Sequence, residues 1–554
     1  MRSTRALLLP AALLGVAACA PDSLPTLEPA SASALSRRAD ERTPATIELE
    51  KIGTWVGGGA QASEITAYDD VSRRMFVVNG ALGTVDVVDV QVPSAPVRVG
   101  QLQFAGSANS VSAYRGVVAI AVENASKTAA GTVEFYRTTT LEPLASVGVG
   151  ALPDMVTFSP DGRYVVVANE GEPSPDYTDD PEGSVSIIEL RGLVHCDDED
   201  EAEHRFHDGD DDDGRRPAPR VWHVRFTAYN GRETALRAQG IRIYGPNATA
   251  AQDLEPEYVA IDGDSRTAWV TLQENNALAI IDLRSATIRE LVPLGYKDHR
   301  LAGNGLDASD RDNAVNIRNW PVFGMYQPDG IAAFSVGRQT YLITANEGDA
   351  RDYPGFAEES RVSALALDPA VFSDAVCGGP CKDNARLGRL TVTRTLGQDP
   401  ASGLYRELYV LGGRSFSILS ASGARLWDSG DQLEQRTAAL PNVAFNASNT
   451  GNAFDDRSDN KGPEPEGVAV GRIGRKTFAF IGLERVGGVM VYDVSVPTVP
   501  VFATYVNTRA GAAGDLGPEG LQFVPAERSP IKAPLLFVGN EISGTTAIFE
   551  IKLR

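Results

Sequence analysis

Short β-rich apolar runs recur along this chain, separated by turns rich in glycine. The stretch from Pro465 shows the unit. Residues 468–470 form one run, 471–475 a turn, and 478–483 a second run. Gly487-Gly488 then turns the chain into Val489-Met490-Val491-Tyr492-Asp493-Val494, and 501–506 makes a fourth run. Four short strands joined by tight turns predict one antiparallel sheet, the unit of a propeller blade. The third run is the easiest to count. It recurs at 83–89, 131–136, 183–189, 277–282, 361–365, 415–419, 488–493 and 544–550. The predicted fold is therefore all-β, a β-propeller of seven or eight four-stranded blades. The last unit stops at Arg554 after its third run, and residues 46–52 alternate suitably for the missing strand. Pairing of the N- and C-terminal strands would close the ring and remove exposed sheet edges. Two smaller β domains are the alternative, but no linker between 46 and 554 supports a split.

A phrase introduces most units. It reads Pro153-Asp154-Met155, Pro256-Glu257-Tyr258, Pro328-Asp329-Gly330, Pro465-Glu466-Gly467 and Pro518-Glu519-Gly520. The unit at 415–419 has no such introduction. Each copy is followed by an apolar run that ends in a second carboxylate: Glu170, Glu274, Glu347, Glu484 and Glu541. Glu64 and Glu123 stand at corresponding places in the earlier units. Antiparallel strands bring the chain back to its starting edge, so both carboxylates of a pair belong on one edge of a blade. If the first strands line a channel, the pairs converge on one mouth. Such a ring needs neutralising. Backbone N–H groups, basic partners (Arg318, Arg351, Arg457, Lys461, Arg485) or a hard cation such as Ca²⁺ would each serve.

Composition narrows the partners. The chain has 554 residues, 54 of them glycine and 33 proline, and a net charge of −22. That charge argues against nucleic acid and anionic membrane surfaces, and for cations or plain solubility. Residues 1–19 look like a lipoprotein-type signal peptide. Arg2 and Arg5 precede an apolar stretch too short to span a bilayer, and Val16-Ala17-Ala18-Cys19 resembles a bacterial lipobox. Cys19 is then the lipid anchor; an ordinary secretory peptide cut nearby is the alternative. Both place the protein in a bacterial cell envelope, lipid-anchored or secreted, touching membrane only through that anchor. Residues 20–45 read as a disordered tether and 46–554 as the propeller domain. Insertions are expected at 195–219, which is strongly acidic, and at 296–327 and 431–464. Cys377 and Cys381 form either a small loop disulfide or half of a metal site, and Cys196 is left over. His204 and His207 in the acidic loop offer a transition-metal pair or a solvated surface.

Candidate chemistry follows the carboxylates. The cation ligands expected are Asp154, Glu170, Glu257, Glu274, Asp329, Glu347, Glu466, Glu484, Glu519 and Glu541. Asp307 and Asp310, with Asp312, add a second group in an irregular loop that lacks EF-hand spacing. The chain has no HExxH, no phosphate-binding glycine loop and no Gly-x-Ser-x-Gly. His299, beside the acidic insertion, is the acid–base candidate, with a surface histidine as the alternative. Arg318, Lys461 and Arg485 are the groups that would hold a phosphate.

These residues resemble the choice-of-anchor I family, which is similar to mesenchyme-specific cell-surface glycoproteins associated with biomineralisation in animals. The resemblance spans roughly 46–554. It is carried by Ala151-Leu152-Pro153-Asp154-Met155-Val156, Ala168-Asn169-Glu170-Gly171-Glu172-Pro173, Gly305-Leu306-Asp307-Ala308-Ser309-Asp310 and Asn316-Ile317-Arg318-Asn319-Trp320-Pro321. Ser458-Asp459-Asn460-Lys461-Gly462-Pro463-Glu464-Pro465-Glu466-Gly467 and Ile481-Gly482-Leu483-Glu484-Arg485-Val486 complete it. It implies a β-propeller at a cell surface and brings no agreed reaction. Two functions are carried forward. The first is a Ca²⁺-binding surface protein that meets a protein, glycan or mineral face. The second is a metal-dependent phosphoester hydrolase, alkaline-phosphatase-like, on the acidic mouth; some members of the family carry that label. A purely structural envelope protein would leave the carboxylates unexplained.

Overall fold

Seven four-stranded antiparallel sheets frame the described part of the molecule, a computed structural model that describes residues 47–194, 218–440 and 444–554. The expected signal segment with Cys19, the expected tether, and Cys196, His204 and His207 of the expected acidic insertion lie outside the described residues. The first strands of the sheets are Thr66–Asp69, Ala108–Tyr114, Pro153–Phe158, Pro256–Ile261, Ile331–Val336, Pro465–Ile473 and Pro518–Val524. In six sheets the strands are ordered as they occur in the chain. The seventh takes its outer strand from the other end of the domain. Ile47–Val56 pairs with Thr545–Leu553, Ile47 opposite Leu553, with a register shift between Lys51 and Gly53. Each first strand packs on the next, and Pro518–Val524 packs on Thr66–Asp69, so the series returns to its start.

Apolar packing between neighbouring sheets explains why many strands are continuously apolar rather than alternating. Every residue of Val117–Val122 is buried, because both faces of the sheet are covered. Phe478, Phe480 and Val491 of the sixth sheet meet Leu536, Val538 and Phe549 of the seventh. Met75, Val77 and Val88 of the first meet Leu535, Phe537 and Ile548 of the seventh. Each fully buried side chain of this size contributes roughly 1.5–3 kcal/mol. The first–seventh contact is therefore stabilised like any other junction in the series.

One of the eight expected third strands is not one. Residues 361–365 do not enter a four-stranded sheet. Glu359–Arg361 pairs only with Thr391–Thr393, and Val362–Ala364 is a 3-10 turn. The third strand of that sheet is Ser415–Ser420, paired with Gln339–Asn346. Residues 347–414 are thus an insertion inside the fifth sheet. The apolar residues at 361–365 belong to a separate small core instead. Val362, Leu365, Phe372, Leu390 and Val410 pack there with Leu306, Trp320 and Val322 from the 296–327 insertion. Tyr296–Asp298, Phe323–Met325 and Tyr409–Val410 join the two insertions in a three-stranded sheet. Cys377 and Cys381 are bonded to each other inside this body, which decides between the two expectations for the pair.

Candidate functional site

The repeated phrase is built to aim carboxylates. The residue before the proline takes a left-handed conformation at Leu152 (φ 46°), Gln327 (φ 40°), Glu464 (φ 51°) and Gly517 (φ 70°). For a residue with a side chain this costs on the order of 1–3 kcal/mol. At Leu152, Glu464 and Gly517 its carbonyl then accepts the N–H of the second carboxylate residue of the same sheet, whereas the Gln327 carbonyl accepts that of Gly348, one residue past Glu347. Glu170 donates to Leu152 at 2.9 Å, Glu484 to Glu464 at 2.8 Å and Glu541 to Gly517 at 2.7 Å. These bonds hold both carboxylates of a pair at one edge. Past the proline the ladder register shifts, between Pro153 and Met155, Pro256 and Val259, Pro465 and Val468, and Pro518 and Leu521. Asp154, Glu257, Glu466 and Glu519 sit in these bulges, and bulges re-aim side chains out of the ladder.

The glycine of the phrase has its own reason. A Cβ on Gly467 would stand 1.8 Å from the carbonyl oxygen of Glu519. One on Gly520 would stand 2.7 Å from that of Glu64, and one on Gly330 2.5 Å from that of Glu466. Each glycine seats the acidic residue of the next sheet, and the seat at Gly520 joins the last sheet to the first. The asparagine before the second carboxylate pins the third strand. Asn169 Nδ2 donates to Ser186 Oγ at 3.0 Å, and Asn346 Nδ2 to Ser417 Oγ at 2.9 Å.

The carboxylates raise one another's pKa. Burial is the first cause at every one of the following groups, and a neighbouring carboxylate is the second. Asp154 is raised to about 6. Glu64, Glu274 and Glu484 are raised to about 8. Glu170, Glu257, Asp329, Glu466 and Glu519 are held well above the usual carboxylate range. The interactions cross the opening: Asp329 acts on Glu519, and Asp154 on Asp329. One cavity of about 390 Å³ is lined by Glu64, Glu123, Asp154, Glu170, Glu519 and Glu541. Two of the five phrase pairs, Asp154 with Glu170 and Glu519 with Glu541, thus line one cavity.

Two features point to a positive ligand. Glu347, Glu466 and Glu484 each offer a carboxylate oxygen within 4.8 Å of the others. Glu466 Oε2 is buried with no hydrogen-bond partner, and so is Oε2 of Glu274, a residue only 5% exposed. Gln273 Nε2 donates to Glu347 Oε2 at 3.0 Å, and Asn449 Nδ2 to Glu484 Oε1 at 2.6 Å.

The basic candidates at this mouth are already engaged. Lys461 Nζ lies 2.6 Å from Glu347 and 3.1 Å from Glu464. Arg485 Nε lies 3.0 Å from both Glu464 and Glu484. Arg457 Nη2 lies 2.6 Å from Glu464. Glu464 is fully buried. Burial pushes its pKa up, but Lys461, Arg457 and Arg485 outweigh this and hold it at about 2. Sequence reasoning did not single out Glu464. The signal was present as Glu464-Pro465-Glu466, which recurs as Glu255-Pro256-Glu257. Glu255 is likewise buried, 2.8 Å from the buried Arg351. In both places a buried carboxylate before the proline is ion-paired, Glu464 with three basic side chains and Glu255 with Arg351, and the one after it faces the mouth.

The remaining candidates lie elsewhere. His299 is not at the mouth but fully buried, its Nδ1–H donating to the Asn304 carbonyl at 2.7 Å. Burial, then Lys297, holds its pKa well below the usual value, so it stays neutral as a core histidine. Arg318 stacks on Trp320, 4.0 Å from the ring centre, and donates to the Cys377 carbonyl in the inserted body. Asp310 pairs with Arg389 at 2.9 Å and Arg311 at 3.2 Å, which takes it out of the expected ligand set. Asp307 and Asp312 are joined instead by Asp455 from the 431–464 insertion.

The chain is similar to several known proteins. A family model described as the choice-of-anchor I domain matches residues 64–497, well over half of the chain. Gigasin-3a of Magallana gigas is 31% identical over 188 residues, 30% of this chain and 66% of that protein. The mesenchyme-specific cell surface glycoprotein of Strongylocentrotus purpuratus is 28% identical over 290 residues, 45% of this chain and 36% of that protein. The chain thus spans less than two thirds of either relative. Among solved structures, hydrazine synthase of Kuenenia stuttgartiensis has TM-score 0.45 at 12% identity, covering 89% of this chain and 97% of that one. The beta-propeller domain of Cps50 (Swd1) from Myceliophteria thermophila has TM-score 0.43 at 8% identity, covering 91% and 100%.

Proposed function

Because this chain belongs to the choice-of-anchor I family, we propose that it is a surface-associated, seven-bladed β-propeller whose acidic mouth binds Ca²⁺. In this reading Cys19 anchors it to a bacterial envelope, and the bound ion helps present the mouth to a protein, glycan or mineral surface. The observation that carries the proposal is the trio Glu347, Glu466 and Glu484, which bring one carboxylate oxygen each within 4.8 Å of the others, with Glu466 Oε2 buried and unpartnered. Two oxygens on opposite sides of a Ca²⁺, each about 2.4 Å away, would span about that distance. Carboxylates that repel one another in water-poor surroundings are stabilised when a dication joins them.

The hydrolase reading loses support from the same geometry. Lys461 and Arg485 would have to leave Glu464, Glu347 and Glu484 to hold a phosphate, and Arg318 stands in the inserted body. A binding role needs none of them free.

The test is metal analysis of the purified protein with melting curves in chelator and in CaCl₂. Bound calcium and a rise in melting temperature, both reduced in Glu466→Gln, are expected. Equal melting temperatures with and without calcium, and no bound metal, would overturn the proposal. Phosphoester turnover that depends on Arg485 would favour the hydrolase instead.

A further inference from the structure

We infer that Asp307, Asp312 and Asp455 form a second, separate cation site of the Ca²⁺ class that ties the 296–327 insertion to the 431–464 insertion. Each offers one carboxylate oxygen within 4.8 Å of the other two. The independent sign of a ligand is Asp455. It is 2% exposed, its Oδ1 takes a hydrogen bond from Ser458 Oγ, and its Oδ2 is buried without any partner. An unpartnered polar oxygen in such a place is costly unless a donor or a cation meets it.

No basic side chain among the described residues is ion-paired with any of the three. The nearby arginines are paired with other carboxylates, Arg389 with Asp310 and Asp459, and Arg414 with Glu434; Arg414 Nη1 also donates to the backbone carbonyl of Asp307 at 2.7 Å. Burial is the first cause that raises Asp307 to about 7 and Asp455 to about 8, with other carboxylates adding to it. The other oxygens are held in place. Asp307 Oδ2 accepts the Asn316 N–H at 2.6 Å, and Asp312 Oδ2 accepts Asn316 Nδ2 at 2.9 Å. Asn446 Nδ2 donates to Ser458 Oγ at 2.8 Å, while Asn446 Oδ1 is buried and unpartnered, a neutral oxygen beside the set. Asp312 is only half-buried and gives the ion a way in. All donors are oxygens, which suits a hard dication rather than a thiophilic metal. The role is structural, because the ligands come from two loops about 140 residues apart in the sequence that the ion would clip together.

Terbium is the probe that separates this site from the mouth. Trp320 Nε1–H donates to the carbonyl of Leu306, next to Asp307, at 3.1 Å. Tb³⁺ bound here should therefore give tryptophan-sensitised emission that Ca²⁺ displaces. Full-length wild type, Asp312→Asn, Asp455→Asn and Glu466→Gln are titrated in parallel. Asp312→Asn should weaken the sensitised site by at least about tenfold, no less than loss of an outer partner does. Asp455→Asn should abolish it, and Glu466→Gln should leave it intact. Asp312 is the arm that keeps the test decisive if Asp455→Asn does not fold, since its side chain is half-exposed. Sensitised emission unchanged in Asp312→Asn, or absent from the wild type, would overturn the inference. Loss of calcium in Glu466→Gln alone would count against this site while leaving the mouth standing.

Discussion

Replacing Glu464 by glutamine should destabilise the domain without touching the mouth-facing carboxylates. Glu464 is fully buried and meets Arg457, Lys461 and Arg485 at 2.6–3.1 Å. Its pKa falls from 4.5 to about 2 on folding. That shift is worth roughly 3 kcal/mol at neutral pH, from about 1.4 kcal/mol per unit. Breaking a buried ion pair by removing one partner costs about 3–5 kcal/mol, which agrees. Lys461 keeps Glu347 and Arg485 keeps Glu484, so about 3 kcal/mol is the ceiling. Unfolding entropy near 2.1 cal/mol/K per residue gives about 1 kcal/mol/K for roughly 500 folded residues, so the melting temperature should fall by about 3 °C. The assay is differential scanning fluorimetry at pH 7, with Glu142→Gln as control. Glu142 is 65% exposed and 3.7 Å from Arg137, a surface pair that should move melting by less than about 1 °C. The sign with pH is fixed. A lowered carboxylate pKa gives stability that is full above 4.5 and lost as pH falls through about 2, so the gap should narrow only in acid. A Glu464→Gln protein that melts within about 0.5 °C of wild type, or above it, would refute the reasoning.

The mouth should show the opposite pH dependence. Glu274 and Glu484 are raised from 4.5 to about 8, so the unfolded chain loses these protons first. Their contribution is present below pH 4.5 and is lost as pH rises through about 8. Melting curves in chelator should fall across that window and CaCl₂ should flatten the fall; a chelated protein equally stable from pH 5 to 8 would count against it. Gly467→Ala should melt well below wild type, because its Cβ would lie 1.8 Å from the Glu519 carbonyl, whereas Gly148→Ala meets nothing within 4 Å. Similar melting temperatures for the two variants would show that the glycine seat is not a close contact.

Much of this could be read from the chain. Spacing of β-rich runs located each of the seven sheets, and the pairing of Asp154 with Glu170 or Glu466 with Glu484 placed those residues on shared edges. The failures have a common cause. Residues 361–365 have the local pattern of a strand, and the pattern is satisfied by a small core with Trp320 and Phe372 instead of by a sheet. Asp310 looked like a ligand beside Asp307, but Arg389 lies 79 residues away in sequence and 2.9 Å away in space. His299 stood near acidic residues in sequence and is buried against Gly324 in the fold.

What the sequence determined by itself is the repeating hairpin and the edge on which its carboxylates emerge. Both follow from strand alternation and from turns a few residues long, which are local constraints. Only the tertiary structure decided which charges are neutralised. Glu464 and Glu466 are two residues apart, yet one is held at about 2 by three basic side chains, while the other is raised by burial, then by Glu484 of its own sheet and by carboxylates of neighbouring sheets. Electrostatic energy depends on distance through space and on burial, and neither is set by position along the chain.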